Sequence, residues 1–184
     1  MIENQLIQRL NKIFSNVVSN LVFFNEKKYS SDDNYPENYS KWVNEVTIKN
    51  KIICNRKNVE LQRRRRSRVF WMDFGKNVGS EFNDPHFCVV IYESNFTAIV
   101  VPLSTVKSTD AQWKAEECLI ASIGCIDNLP GEKKHLYALV NQLTTVSKQR
   151  LSNYKLNNKY YDLRLSNDQM DIIDETILTI IKKK

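Results

Sequence analysis

The chain has 184 residues, of which 42% are hydrophobic and 26% are charged, and its formal net charge is +6. This length suits one well-packed domain with an attached segment, and this composition excludes wholesale disorder. No apolar stretch reaches the length of a membrane-spanning helix, and the first residues lack the pattern of a secretory leader. We therefore expect a cytoplasmic protein with no membrane partner.

Two helices are predicted in the first third of the chain. Apolar residues recur at three- and four-residue steps from Ile2 to Leu21, which builds one apolar stripe. Residues 26–36 are polar and contain a proline, so they are predicted to form a loop, and a second helix is expected over residues 37–49. Two short helices bury little surface alone. We expect them to pack on the following domain or to pair across a dimer.

An arginine-rich segment follows these helices. Residues 1–68 contain 14 Lys and Arg against 7 Asp and Glu, whereas residues 69–184 contain 13 against 14. Much of the excess lies in Arg63-Arg64-Arg65-Arg66 and in Arg68. Such a cluster suits a nucleic-acid backbone, which makes Arg64 and Arg66 candidate RNA contacts. A solvated linker, or a strip that pairs with an acidic partner, fits the same pattern equally well.

From residue 69 onward, short β-type runs replace the helical pattern. Strands are predicted over residues 68–74, 87–92, 96–103, 117–120 and 136–143, with polar or Gly/Pro turns between them. This spacing favours a small, strongly curved antiparallel sheet or barrel. The chain ends in a helix. Ser166 and Gln169 fit a capping box at its start, and Met170, Ile173, Ile177 and Ile181 follow on one face.

The predicted fold class is therefore α+β, with a basic helical extension over residues 1–62 and a barrel domain over residues 63–184. No P-loop, dinucleotide fingerprint or HExxH motif is present, so no cofactor is expected. The four cysteines form no CxxC pair, so no metal site is expected either. Cys88 lies inside an apolar run and is predicted to be a buried small hydrophobic residue.

Four blocks of the second domain resemble one known family. They are Val69-Phe70-Trp71-Met72-Asp73-Phe74-Gly75 with Val78-Gly79-Ser80-Glu81, then Cys88-Val89-Val90-Ile91, then Ala98-Ile99-Val100-Val101-Pro102-Leu103-Ser104-Thr105, then Gln142-Leu143-Thr144-Thr145-Val146-Ser147-Lys148-Gln149-Arg150-Leu151. In this order and spacing they are similar to the MazF/PemK family of toxin–antitoxin endoribonucleases. The resemblance covers residues 66–181.

The resemblance implies a homodimer of SH3-like barrels that binds single-stranded RNA in a groove between the subunits. It implies metal-independent cleavage of mRNA, in which a ribose 2′-OH attacks the adjacent phosphorus. It also implies an antitoxin partner, expected to insert an acidic, partly disordered tail. The gyrase-poisoning toxins share this fold without cutting RNA, so a non-catalytic binder or inhibitor is the alternative function.

The resemblance also assigns candidate site residues. The family's catalytic arginine falls on His86, and its catalytic threonine or serine falls on Ser104. Residues implied to contact RNA are Ser80 and Glu81 in the first loop, Lys76 before them, Thr105 beside Ser104, and Gln142.

A histidine in place of the arginine leaves three interpretations open. An imidazole titrates near neutrality, so His86 can act as an acid or base while Lys76 or a nearby arginine supplies charge. It lacks the permanent charge and the bidentate fork of a guanidinium, so the protein is alternatively a weak enzyme or only a binder. A third interpretation is an ordinary loop histidine. Asp84 places a negative charge close to the expected phosphate position, which disfavours RNA binding.

Overall fold

A computed structural model describes residues 2–27, 34–54, 64–77, 81–105, 120–131 and 134–182. The chain forms two units, Met1–Val59 and Glu60–Lys184. The first contains helix α1 (Ile2–Lys27) and helix α2 (Tyr35–Cys54). Both predicted helices are confirmed, and α2 begins before the predicted residue 37. Pro36, which has no backbone N–H, removes no helical hydrogen bond there, because the backbone N–H groups in the first turn of a helix have no partner within the helix.

Among its described residues, the second unit contains nine short strands and a final helix. The strands are β1 (Arg68–Asp73), β2 (Pro85–Glu93), β3 (Thr97–Thr105), β4 (Ile120–Gly124), β5 (Leu136–Leu139), β6 (Thr144–Ser147), β7 (Tyr154–Leu156), β8 (Lys159–Tyr161) and β9 (Leu163–Arg164); the helix is α3 (Asn167–Lys182). Short 3₁₀ turns occupy Val140–Gln142 and Lys148–Arg150. The α+β prediction is confirmed. Across both units, no helix in the described ranges is long and apolar enough to cross a membrane.

Two predicted strands differ from those observed. The fourth was expected over residues 117–120, but β4 begins at Ile120 and continues to Gly124; residues 117–119 lie outside the described ranges. The fifth was expected to reach residue 143, but β5 ends at Leu139 and the chain turns into a 3₁₀ segment. Apolar content extends beyond β5, since Val140 is buried within that turn. Apolar runs of this kind do not mark where the extended backbone stops.

The sheet is antiparallel and curls into a half-barrel around β3. Its order is β4-β5-β3-β2-β1-β9, and β6 also pairs with β3. Along one edge, β3 pairs with β6 over Thr97–Val100 and with β5 over Leu103–Thr105. Pro102 lies between these two paired stretches. A proline in a central strand is tolerated where the ladder is interrupted, and here the partner strand changes.

Two apolar clusters lie on the two faces of this sheet. One contains the odd-numbered residues Val69, Val89 and Val101 and is covered by Met170 and Ile173 of α3. The other contains even-numbered residues, among them Phe70, Met72, Cys88, Val90 and Val100. Side chains alternate between the faces of a strand, so the two sets cannot mix. As predicted, Cys88 is a buried hydrophobic residue, and burial raises the pKa of its thiol to about 12.

The start of α3 has the predicted capping box. The backbone N–H of Gln169 donates to Ser166 Oγ over 3.2 Å, and the backbone N–H of Ser166 donates to Gln169 Oε1 over 2.9 Å. Gln169 Nε2 also donates to the carbonyls of Ile123 and Cys125, so the cap ties α3 to the end of β4. Of the predicted apolar face, Ile181 is instead exposed, and Ile180 packs on the core.

Removal of residues 1–59 should leave the second unit folded, because both apolar clusters of that unit draw their residues from positions 69–180. We expect the shortened chain to keep a cooperative thermal transition by circular dichroism. Loss of the folded state would show that the N-terminal helices complete this core.

The substitution Gln169→Ala should lower the free energy of unfolding by about 2 kcal/mol, since it removes one cap contact and two bonds to buried carbonyls. Chemical denaturation of the full chain measures this. Glu175→Ala, at an exposed position of the same helix, is the matched control and should change stability by less than about 0.5 kcal/mol. Equal effects of the two substitutions would contradict the role given to Gln169.

Candidate functional site

His86 and Ser104 occupy adjacent strands. The register of β2 with β3 pairs Phe87 with Leu103 and Cys88 with Pro102. Phe87 and Leu103 form the last pair of this ladder, and the same register continued by one position would set His86 opposite Ser104, on the face that also carries Cys88. Directly opposite residues of an antiparallel pair have Cβ atoms about 4.5–5.5 Å apart. Both side chains are half-buried.

The line of neighbouring residues that runs across the strands through His86 and Ser104 continues on β5. Ser104 pairs with Tyr137, and Tyr137 pairs in turn with Ser122 of β4. Because directly paired residues point to the same side of a sheet, a phenol lies beside the hydroxyl of Ser104. Tyr137 was not among the site residues expected from the sequence. Its place depends on the pairing of β3 with β5, which no local pattern indicates.

The loop between β1 and β2 lies next to His86 and is held by its own side chains. Asn77 Nδ2 donates to the carbonyl oxygens of Phe74 and Phe82, and its backbone N–H donates to Asn83 Oδ1. Gly75 has a φ of 98°, a conformation that favours glycine. The ring of Phe82 lies 4.6 Å from the imidazole of His86, measured between centroids. The loop thereby covers one side of His86.

A cleft of about 270 Å³ opens beside this loop. Its walls come from the loop, from the 3₁₀ turn after β5, and from β6 with the turn that follows it; the lining residues are Phe74, Asn77, Glu81, Phe82, Asn141, Gln142, Leu143, Thr144, Thr145, Val146 and Arg150. Two candidate RNA contacts, Glu81 and Gln142, therefore face one cleft although they are far apart in sequence. His86 adjoins the cleft through Phe82.

Arg150 is the positively charged residue among those lining residues. Its Nη2 donates to the backbone carbonyl of Asp73 over 2.6 Å, which fixes the guanidinium at the end of β1. Its charge acts on Cys88, where it opposes the rise in the thiol pKa that burial causes. Arg150 lies in one of the blocks that resemble the family, but no role was expected for it from the sequence. A half-buried arginine in a cleft is visible only once β1 and the last 3₁₀ turn are brought together.

Lys76 and Asp84 form an ion pair across the base of the loop. The Lys76 side chain is 11% exposed, while that of Asp84 is 52% exposed. The positive charge expected from Lys76 and the unfavourable charge expected from Asp84 therefore partly cancel. Asp84 has a φ of 69°, and its backbone N–H and C=O bond to Gly75 and Phe74, so the turn depends on its main chain.

Arginines of the basic cluster bind within the second unit. Arg64 Nη2 donates to the Leu151 carbonyl over 3.1 Å, and its guanidinium lies 4.8 Å from the centre of the Phe70 ring. Arg66 pairs with Asp174 of α3, and Arg68 pairs with Asp162 over 2.6 Å. Burial and the nearby Arg68 lower the pKa of Arg64, while Glu93 opposes the shift. These contacts favour a structural use of the cluster; RNA contact by Arg64 and Arg66 stays a prediction.

The remaining predicted residues have separate positions. Thr105 is exposed at the end of β3, paired with Leu136. Ser80 lies outside the described ranges. The fold and this cleft together have the form of a small β-barrel protein with a polar binding site at the edge of its sheet.

Residues 65–181 match the model of the family described as PemK-like, MazF-like toxins of type II toxin–antitoxin systems, and the chain belongs to that family. A comparison with curated proteins found no match. The match covers more than half of the chain and includes the whole of the sheet and nearly all of α3. Membership of a toxin family implies an antitoxin partner.

The substitution Asp84→Asn should strengthen binding of single-stranded RNA under the function implied by the family resemblance, because it removes a negative charge from the loop that lines the cleft. Asparagine tolerates the positive φ of this position, so the turn should be kept. Fluorescence anisotropy at low salt should show a severalfold lower Kd and a steeper dependence on salt. Asp127→Asn, at an exposed position after β4, is the control and should leave both unchanged. An unaltered salt dependence in Asp84→Asn would place the bound RNA elsewhere.

Proposed function

We propose that this protein is a toxin that cleaves single-stranded mRNA in the cytoplasm without a metal ion. The observation that supports the proposal is the register of β2 with β3, which, continued by one position, sets His86 opposite Ser104, while Phe82 links His86 to a polar cleft. An imidazole and a hydroxyl that contact the same scissile phosphodiester provide two functions that its cleavage needs. The imidazole transfers a proton, and the hydroxyl donates a hydrogen bond to the phosphate.

In the proposed reaction, His86 removes the proton of a ribose 2′-OH. The 2′-oxygen then forms a bond to the adjacent phosphorus while the bond from phosphorus to the 5′-oxygen breaks. Ser104 donates a hydrogen bond to a non-bridging phosphate oxygen, which bears the developing charge. His86 then gives up the proton that it took, through a solvent molecule, to the departing 5′-oxygen, which leaves a 2′,3′-cyclic phosphate on one fragment and a 5′-hydroxyl on the other.

Substrate binding is assigned to the cleft and its margins. Gln142 and Glu81 line the cleft and reach base edges, while Ser80 and Thr105 contact the ribose–phosphate backbone. Single strands are the proposed substrate, since their bases can be turned out and read one at a time. We further propose a homodimer with an RNA groove between its barrels, and an acidic antitoxin segment that competes for the same groove.

A second candidate is a binding protein of low or no catalytic power on the same scaffold. Two features favour it. His86 lacks the permanent charge of a guanidinium, and the charge of Lys76 is partly neutralised by Asp84. A protein of this kind would hold RNA or another partner through the cleft and leave it intact.

Cleavage of a long RNA in EDTA separates the two candidates. We expect discrete fragments with cyclic phosphate ends from the unaltered protein. Loss of His86 as acid or base in His86→Ala should slow cutting by about 10²–10⁴-fold. Ser104→Ala should also abolish discrete cutting, with RNA binding retained.

His135→Ala is the matched control, because His135 is exposed before β5 and belongs to no proposed site. It should cut like the unaltered protein. Intact RNA together with retained binding by the unaltered protein would support the second candidate. Equal cutting by His86→Ala and His135→Ala would remove His86 from the mechanism.

A further inference from the structure

The cleft beside His86 has the size of a site for one base. Its volume of about 270 Å³ lies just below the range of roughly 300–1,000 Å³ found for drug-sized ligands. Glu81 and Arg150 bring opposite charges to it, and Phe82 brings an aromatic ring. The cleavage mechanism above gives Arg150 no task, although its guanidinium is held in a fixed place.

Arg150 offers donors of fixed orientation. A guanidinium has five N–H donors, and the bond from Nη2 to the Asp73 carbonyl uses one of them. Within the described part of the chain, Arg150 makes no ion pair. The remaining donors are therefore not committed to a carboxylate of the protein. A planar fork of this kind suits two adjacent acceptor atoms.

Glu81 offers two acceptor oxygens to the same cleft. Its position is set by the bond from Asn83 Nδ2 to the Glu81 carbonyl, 3.0 Å long, and its side chain is exposed. Among the residues that the structure describes, the Glu81 carboxylate has no ion-pair partner. A carboxylate accepts two parallel N–H donors. The cleft thus combines a double donor with a double acceptor.

We propose that this cleft recognises a guanine base of the RNA, an inference that rests on the RNA substrate of the proposed function. The guanidinium of Arg150 donates to guanine O6 and N7, and the carboxylate of Glu81 accepts from N1–H and the N2 amino group. Adenine presents an amino group where guanine has O6, and the pyrimidines lack N7. Guanine alone among the four bases offers both matching pairs.

Phe82 connects base recognition to cleavage. Its ring contacts Phe74 at 4.9 Å and His86 at 4.6 Å between centroids, and it lines the cleft. A base seated against Phe82 gains the stacking contact that single-stranded RNA makes with aromatic side chains. The phosphate attached to that nucleoside then lies close to the row of His86 and Ser104, so the guanine determines where the strand is cut.

Binding measurements with base analogues test the proposal without disturbing the protein fold. The ligands are short 2′-fluoro RNAs, which lack the attacking hydroxyl and stay intact, with one guanosine in a uridine background. Replacement of that guanosine by adenosine should weaken binding by about tenfold or more in fluorescence anisotropy. Inosine, which lacks the N2 amino group, and 7-deazaguanosine, which lacks N7, should each give part of that loss.

Two variants assign the contacts. Glu81→Gln should no longer distinguish guanosine from inosine, and Arg150→Lys should no longer distinguish guanosine from 7-deazaguanosine. Glu175→Gln and Arg164→Lys, both at exposed positions away from the cleft, are matched controls and should keep both preferences. Circular dichroism checks that Arg150→Lys is folded. If this variant does not fold, the analogue series with the unaltered protein and the Glu81→Gln variant still test the proposal.

Equal affinity for all four bases, or unchanged analogue preferences in both variants, would overturn the guanine site. These results are independent of cleavage. A protein that leaves long RNA intact but prefers guanosine in the binding assay keeps this inference and loses the proposed function. A protein that cuts RNA with no preference for guanosine keeps the function and loses this inference.

Discussion

Strand β3 is paired along both edges, and this pairing determines the positions of both apolar clusters and of the site. Its partner on one edge is β2, and its partners on the other are β6 and then β5, so the sheet must curl. Within β1, β2 and β3, the alternation of side chains then places odd-numbered residues in the core under α3 and even-numbered residues on the opposite face. His86 and Ser104 continue that even-numbered face. A slip of one residue between β2 and β3 would turn either side chain away from the other.

The sequence predicted the parts of this fold that depend on near neighbours. The periodicity of α1 and the alternating apolar runs of β1, β2 and β3 result from residues two to four positions apart. The capping box of Ser166 and Gln169 has the same local origin. The family blocks added the expected alignment of His86 with Ser104, which is a long-range feature. That alignment came from the resemblance and could not have been derived from spacing alone.

Contacts between distant parts of the chain were not predictable in this way. Arg66 binds Asp174, which is 108 positions away, and Arg150 donates to Asp73, which is 77 positions away. Gln169 was expected to cap α3, but its two bonds to the end of β4 emerge only from the packing of α3 on the sheet. The partner of each of these side chains was determined by topology, which the local sequence does not encode.

The contacts of the arginine cluster change what the net positive charge of this protein implies about RNA binding. Arg64, Arg66 and Arg68 bind carbonyls, a ring and carboxylates of their own domain, so much of the basic excess of the sequence stabilises the fold. Beside the cleft, Lys76 is matched by Asp84. Phosphate contacts supply affinity without sequence information, whereas contacts to base edges supply selectivity. If the proposed function holds, this site, which among the described residues offers few cations outside ion pairs, would select RNA mainly through its bases.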